Sequence, residues 1–306
     1  MKKSKNNLST NRKAVDQMKK SKNNLSTNKR LVMTLSLLCI LILSSCGLNQ
    51  KQKNAQSSVE SESIENQNIV MFGDSITQKN RDIGKSYTDT VAKKTGLKVT
   101  NIGFGGTAMS IHPQEDFGMF SFYALADAIV NEDYSKQEKA LENKEIPKDF
   151  ADTLTVLKEI DWNKVEYISV LYGANDWGKP IENEQDPLDV NTFKGAGRHG
   201  LDELLEVYPH LKIVFIPAPY RFWPDYNNVD SDTSVNALGL KPSQYSDAMM
   251  DLAKEYESPY ADTFYGLGIN KDNRELYFDG VDGTHPNNKG LVLIGNSVAE
   301  TLLNDY

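Results

Sequence analysis

The chain has 306 residues, 39% of them hydrophobic and 25% charged, with a formal net charge of −8. That composition is globular and excludes collagen-like and wholly disordered chains. Residues 1–46 hold ten Lys/Arg against the single acid Asp16, so residues 47–306 carry 24 basic and 41 acidic side chains, a net of −17. An excess of that sign repels phosphate backbones, whose binding depends on Lys/Arg neutralisation, and nucleic acid is excluded as a partner. The two cysteines, Cys39 and Cys46, both lie in the basic segment. The body therefore has no disulfide framework, no thiolate zinc site and no cysteine nucleophile.

The run Leu31 to Leu43 is thirteen residues long, apolar apart from Thr34 and Ser36, and follows Lys29-Arg30. It is shorter than the ~20 residues a membrane span needs, and its length and flanks predict the core of a signal peptide. Its exit, Leu43-Ser44-Ser45-Cys46-Gly47, resembles the lipobox of bacterial lipoproteins. That resemblance implies removal of residues 1–45, lipidation of Cys46 and a body held at the outer, extracytoplasmic face of a cell membrane. The plainer reading is a signal peptide with an incidental cysteine. Residues 1–11 recur identically at 18–28. The copy is too short and polar to be a folding repeat, and it leaves open whether translation starts at Met1 or Met18. Residues 46–67, rich in Gln, Asn, Ser, Glu and Lys, read as the lipidated cysteine and a flexible tether. Residues 68–306 read as one domain.

Within the domain, Ile69 to Phe72 is a short continuous apolar run, which suits a buried strand. Ser86 to Lys94 predicts a helix stopped by Gly96. Further strands are predicted at Leu97–Ile102, Val165–Tyr172 and Lys212–Pro217, with a short fifth at Pro259–Ala261. Helices are predicted around 192–208, 243–256 and 287–303. Strands alternating with helices indicate a mainly parallel sheet covered on both faces, an α/β fold. Residues 103–164 form an oversized connection. Inside it Phe122 to Asn131 predicts a helix with Leu125, Ala126, Ile129 and Val130 on one face, and this insertion either walls a site or only packs.

Four short motifs stand out: Gly73-Asp74-Ser75-Ile76-Thr77, Asn101-Ile102-Gly103-Phe104-Gly105-Gly106, Gly173-Ala174-Asn175-Asp176 and Asp282-Gly283-Thr284-His285. The first three follow predicted strands, where open parallel sheets bind their ligands. Each alone would pass for a turn or a cap. Together they supply the residue types that acyl transfer needs. Ser75 would be a weak nucleophile without a base, His285 is a candidate base, and Asp282 three residues earlier can hold its imidazole. The N–H groups of Ser75 and Gly106 and the side-chain amide of Asn175 are candidate oxyanion donors, each worth about 3–4 kcal/mol in a transition state.

On these four blocks the sequence resembles the SGNH (GDSL-type) hydrolase superfamily, with Ser75, Gly106, Asn175 and His285 at its four name-giving positions and Asp282 in the Asp-x-x-His slot. The resemblance spans about residue 69 to the end. It implies a three-layer αβα sandwich around a five-stranded, flavodoxin-like sheet, and hydrolysis of carboxylic esters without a metal or other cofactor. It also implies that Asp74 shapes the serine loop and is not the triad acid. Ile76 departs from the usual leucine, and Ala174 fills a variable slot. The Gly-x-Ser-x-Gly elbow of the α/β-hydrolases is absent, since the residue two beyond Ser75 is Thr77.

Tyr220, Arg221 and Trp223, after the fourth predicted strand, and Trp177, after the Asn175 motif, are candidate substrate-binding residues: a platform for a sugar ring or acidic group, or else a packed loop. His112, His199 and His210 lack metal-ligand spacing. The substrate expected is an ester, with short acyl groups on envelope or extracellular glycans preferred. The alternatives are a lipase or lysophospholipase acting on lipid esters, and a non-catalytic lipoprotein that binds glycan or solute in the same cleft.

Overall fold

The computed structural model describes residues 63–306. The signal peptide, Cys46 and most of the tether lie outside the described residues. Four parallel strands, β1 (Asn68–Gly73), β2 (Lys98–Gly103), β3 (Tyr167–Tyr172) and β4 (Lys212–Pro217), form one sheet in the order β2-β1-β3-β4. β3 is buried along its whole length, and β1 and β4 are buried apart from their first residues, as their apolar sequences require. Successive side chains alternate between two cores. Val70, Phe72, Ile168, Val170, Ile213 and Phe215 point into one; Ile69, Met71, Tyr167, Leu171, Val214 and Ile216 point into the other.

The second core is closed by α2 (Tyr87–Thr95) and α9 (Asn288–Asp305) through Tyr87, Val91, Leu291, Ile294, Val298 and Leu302. Ser86 starts α2 with a capping box: its hydroxyl accepts the Asp89 N–H, and the Asp89 carboxylate accepts the Ser86 N–H. Gly96 ends it at φ +73°. The first core is closed by α7 (Phe193–Val207), α8 (Pro242–Glu255) and the insertion, whose elements are α3 (Glu115–Gly118), α4 (Phe122–Asn131), α5 (Ser135–Ala140) and α6 (Asp149–Lys158). The insertion is core, not appendage. Phe104, Phe120 and Phe150 pack ring against ring with centroids 4.9–5.0 Å apart, and Phe122 stands edge-on to Phe72 at 5.3 Å. Removing one such buried ring costs about 3–5 kcal/mol.

Two expectations are corrected. The fifth strand shrinks to a single parallel bridge, Phe215 to Tyr260: Pro259 has no N–H to continue a ladder, and only its carbonyl and the Ala261 N–H pair with Phe215. The fold also begins before residue 68. Ile64 is buried in the second core, and Asn66 N–H donates to the Gly96 carbonyl. Among the described residues no helix is long and apolar enough to cross a membrane.

Candidate active site

Ser75 opens a one-turn helix, α1 (Ser75–Gln78), directly after β1, and the Asp74 carboxylate caps it by accepting the Ile76 N–H at 2.9 Å. This turn lies so close on the strand ends that side chains are excluded there. A Cβ on Gly73 would stand 2.0 Å from Thr77 Oγ1, and one on Gly103 2.5 Å from the Gln78 nitrogen. Gly106 follows β2, and Asn175 follows β3. Because β1 lies between β2 and β3, the serine is flanked by the glycine on one side and the asparagine on the other.

His285 comes from the loop before α9, 210 residues away in sequence, and its Nε2 is 2.9 Å from Ser75 Oγ. Its Nδ1 is 2.7 Å from Asp282 Oδ2, while Asp282 Oδ1 accepts the N–H groups of Thr284 and His285. An ionised carboxylate only accepts, so Nδ1 carries the proton and Nε2 faces the hydroxyl as an acceptor. Burial works against the Asp282 charge, yet those two N–H groups and the imidazole hold its carboxyl below the usual range. Gly283, at φ +63°, lets the loop turn, and its carbonyl accepts the Phe222 N–H at 3.0 Å.

The Asn175 amide donates to the Thr107 carbonyl at 2.8 Å and lies 3.4 Å from Asp74 Oδ2, a long and weak contact. Among the described residues the N–H groups of Ser75 and Gly106 have no hydrogen-bond partner. Gly106 takes φ +80° with nothing closer to a built Cβ than Phe117 at 3.5 Å; here the backbone angle, not crowding, selects glycine.

Beneath the site lies a charged layer that the motifs did not reveal. Asp74 is fully buried, and desolvation pushes its carboxyl up to about 7 against the Ile76 bond and the Arg221 guanidinium, with Asp176 adding to the rise. Asp176 is also fully buried and raised by burial; it accepts from Met109 N–H, Ser110 N–H and Ser110 Oγ, tying the insertion to the Asn175 loop. Its place in the Gly-Ala-Asn-Asp motif was the one available signal. Arg221 is 5% exposed and donates to the Ala174 carbonyl at 2.7 Å, and burial lowers it to about 10.

Two of the four candidate substrate contacts are therefore corrected: Arg221 is a buried strut. Tyr220, 2% exposed, packs with Phe222, Ile269 and Phe278. Trp177 and Trp223 are half-buried and stack at 5.0 Å. Of the three remaining histidines, His112 and His210 pack against Phe117 and Tyr208. The third, His199, lies with Asp127 and Glu203 in a group whose ligand atoms are within 4.8 Å of one another; the i,i+4 pair on α7 and the residue from α4 could hold a metal ion, away from the reacting groups in sequence and structure elements.

A hydroxyl, an imidazole and a carboxylate hydrogen-bonded in line at the carboxyl end of a doubly covered parallel sheet form the architecture of an acyl-transfer enzyme. The chain belongs to the GDSL-like lipase/acylhydrolase family, whose model matches residues 71–291, within the SGNH superfamily, and it is a carboxylic ester hydrolase. A solved structure 22% identical aligns with a TM-score of 0.59, covering 79% of this chain and 98% of its own. A protein from Lactobacillus plantarum aligns at 22% identity and TM-score 0.56, over 79% and 99%. A possible lipase from Chitinophaga pinensis aligns at 20% and 0.52, over 77% and 97%. At these identities the likeness is one of fold. No curated protein matches in sequence.

Proposed function

We propose that the protein is a serine esterase that removes short acyl groups from glycans outside the cytoplasm, anchored to the membrane through lipid on Cys46. The observation that carries the serine esterase is the continuous relay from Ser75 Oγ through His285 to Asp282, at 2.9 and 2.7 Å; the glycan and the anchor rest on the sequence expectations for the aromatic rim and for Cys46. His285 Nε2 takes the hydroxyl proton as Ser75 Oγ bonds to the ester carbonyl carbon, and Asp282 stabilises the imidazolium. The oxyanion lies against the free N–H groups of Ser75 and Gly106 and the Asn175 amide, which exchanges its weak Asp74 contact for the stronger charge. Collapse breaks the ester C–O bond, and the alcohol leaves with the proton from His285. Water, deprotonated by the same histidine, then splits the acyl-enzyme into free acid and Ser75.

Release of p-nitrophenol from acetyl, butyryl and octanoyl esters tests this, with Ser75→Ala as control. Expected is turnover that drops at least about 10⁴-fold in the variant and declines beyond four carbons. Turnover equal in variant and wild type refutes the nucleophile, and a preference for octanoate refutes the short acyl group. The anchor is tested separately: metabolic labelling with an alkyne fatty acid is expected in the wild type and lost in Cys46→Ala.

A further inference from the structure

Beside the reacting groups lies a cleft of about 500 Å³ walled by Trp177, Trp223, Tyr226, Val229, Ser234 and Val235. Two walls are continuous with the site. Trp177 lies two residues beyond Asn175, and Trp223 follows Phe222, which is bonded to Gly283 between Asp282 and His285. We propose that this cleft seats the sugar ring of the substrate, the alcohol part of the ester, with the apolar face of a pyranose against the indoles. The inference rests on the esterase reading above.

The indoles are a prepared surface. They stack at 24° to each other, and the buried Arg221 guanidinium lies against both, 5.8 and 5.2 Å from their centroids. Trp177 Nε1 is fixed on the Leu240 carbonyl at 2.9 Å. A ligand landing there orders little that is not already ordered. Tyr226 extends the platform. It precedes Asn227 and Asn228, both left-handed at φ +56° and +55°, in a tight turn closed by Val229 N–H on the Tyr226 carbonyl. That turn leaves the Tyr226 ring 71% exposed, and Arg274 holds the hairpin from below through Asp230 and the Asn228 carbonyl.

The polar rim favours a sugar over an alkyl chain. Ser234 contributes to the wall but is 8% exposed, and its hydroxyl is buried, with no hydrogen-bond partner among the described residues. The exposed Asp225, Asn227 and Asn228 of the same hairpin put further polar groups at its rim.

The test compares wild type, Trp223→Ala and Tyr226→Ala on methyl 6-O-acetyl-β-glucopyranoside, ethyl acetate and ethyl octanoate. Expected is a fall of at least about tenfold in the ratio of kcat/KM for the acetylated sugar over that for ethyl acetate, expressed in KM. A ratio held within twofold overturns the proposal, because a merely structural loss lowers both esters together. A loss confined to ethyl octanoate overturns it too, by putting an acyl chain in the cleft. In parallel, the acetylated pyranoside is titrated into Ser75→Ala while tryptophan emission is followed; a saturable shift that disappears in Ser75→Ala/Trp223→Ala supports the seat, and no shift overturns it. A wild type that hydrolyses none of the esters refutes the esterase reading, and the emission titration then decides the seat by itself.

Discussion

Replacing Asp74 with asparagine should stabilise the protein at pH 8 and do little at pH 5. The Asp74 carboxyl moves from 3.8 to about 7 on folding, chiefly through desolvation. A folded-state pKa above the unfolded one means that the native protein keeps a proton the unfolded chain releases. Its contribution is fully present below pH ~4 and is lost as the pH climbs through about 7. Three units at about 1.4 kcal/mol each set a ceiling of about 4 kcal/mol, of which about 3 kcal/mol falls between pH 5 and pH 8. Asparagine cannot ionise, yet its Oδ1 still accepts the Ile76 N–H. Its amide then faces the Asn175 amide, donor against donor, which returns about 1 kcal/mol at every pH. Urea unfolding of wild type and variant at both pH values isolates the difference from other titrating groups. Expected is a stability gap about 3 kcal/mol more favourable to the variant at pH 8 than at pH 5. A gap equal at the two pH values within 0.5 kcal/mol would refute the desolvation argument and show that Arg221 fully compensates the charge.

Gly73→Ala puts a Cβ 2.0 Å from Thr77 Oγ1 and must move the serine turn; a loss of about 2 kcal/mol and about a hundredfold in kcat is expected from unfolding and p-nitrophenyl acetate assays. Gly106→Ala meets only ordinary contact with Phe117 at 3.5 Å but a positive φ, so about 1–2 kcal/mol of backbone strain should appear as a lower thermal midpoint. Asp282→Asn should keep the fold and lower kcat by about 10²–10⁴-fold, as expected when the imidazole loses its acceptor; unchanged kcat would remove Asp282 from the relay. Asp176→Ala orphans three donors in the Met109–Ser110 segment and should cost about 3 kcal/mol or more, with faster amide exchange at residues 107–112.

What the sequence disclosed, and what it hid, follows from the range of the interactions involved. The strands at 68–73 and 212–217 and the helix capped by Ser86 were legible because apolar runs and caps are local signals. The Asp282–His285 pair was legible for the same reason, since three residues of loop suffice to bring carboxylate and ring together. The insertion's place in the core was not, because Phe104, Phe120 and Phe150 meet across 47 residues of chain and no periodicity records that. Arg221 and Tyr220 were placed on the correct rim at the wrong depth. An arginine beside aromatics reads as exposed until the Ala174 carbonyl and two indoles supply the partners that let it be buried.

The insertion and the aromatic hairpin meet the same site with opposite mechanical roles. The insertion is welded into the first core, and Asp176 carries its position directly to Asn175, so a change there propagates into the reacting geometry. The hairpin at 222–230 is held by a handful of contacts outside both cores. Its tip can be lengthened, shortened or recoded at Tyr226 without disturbing a buried ring or the relay. If the cleft is the seat proposed above, a change of ester preference can be built into the hairpin tip at little cost to the fold, whereas the larger and more conspicuous loop tolerates little change because its rings are core.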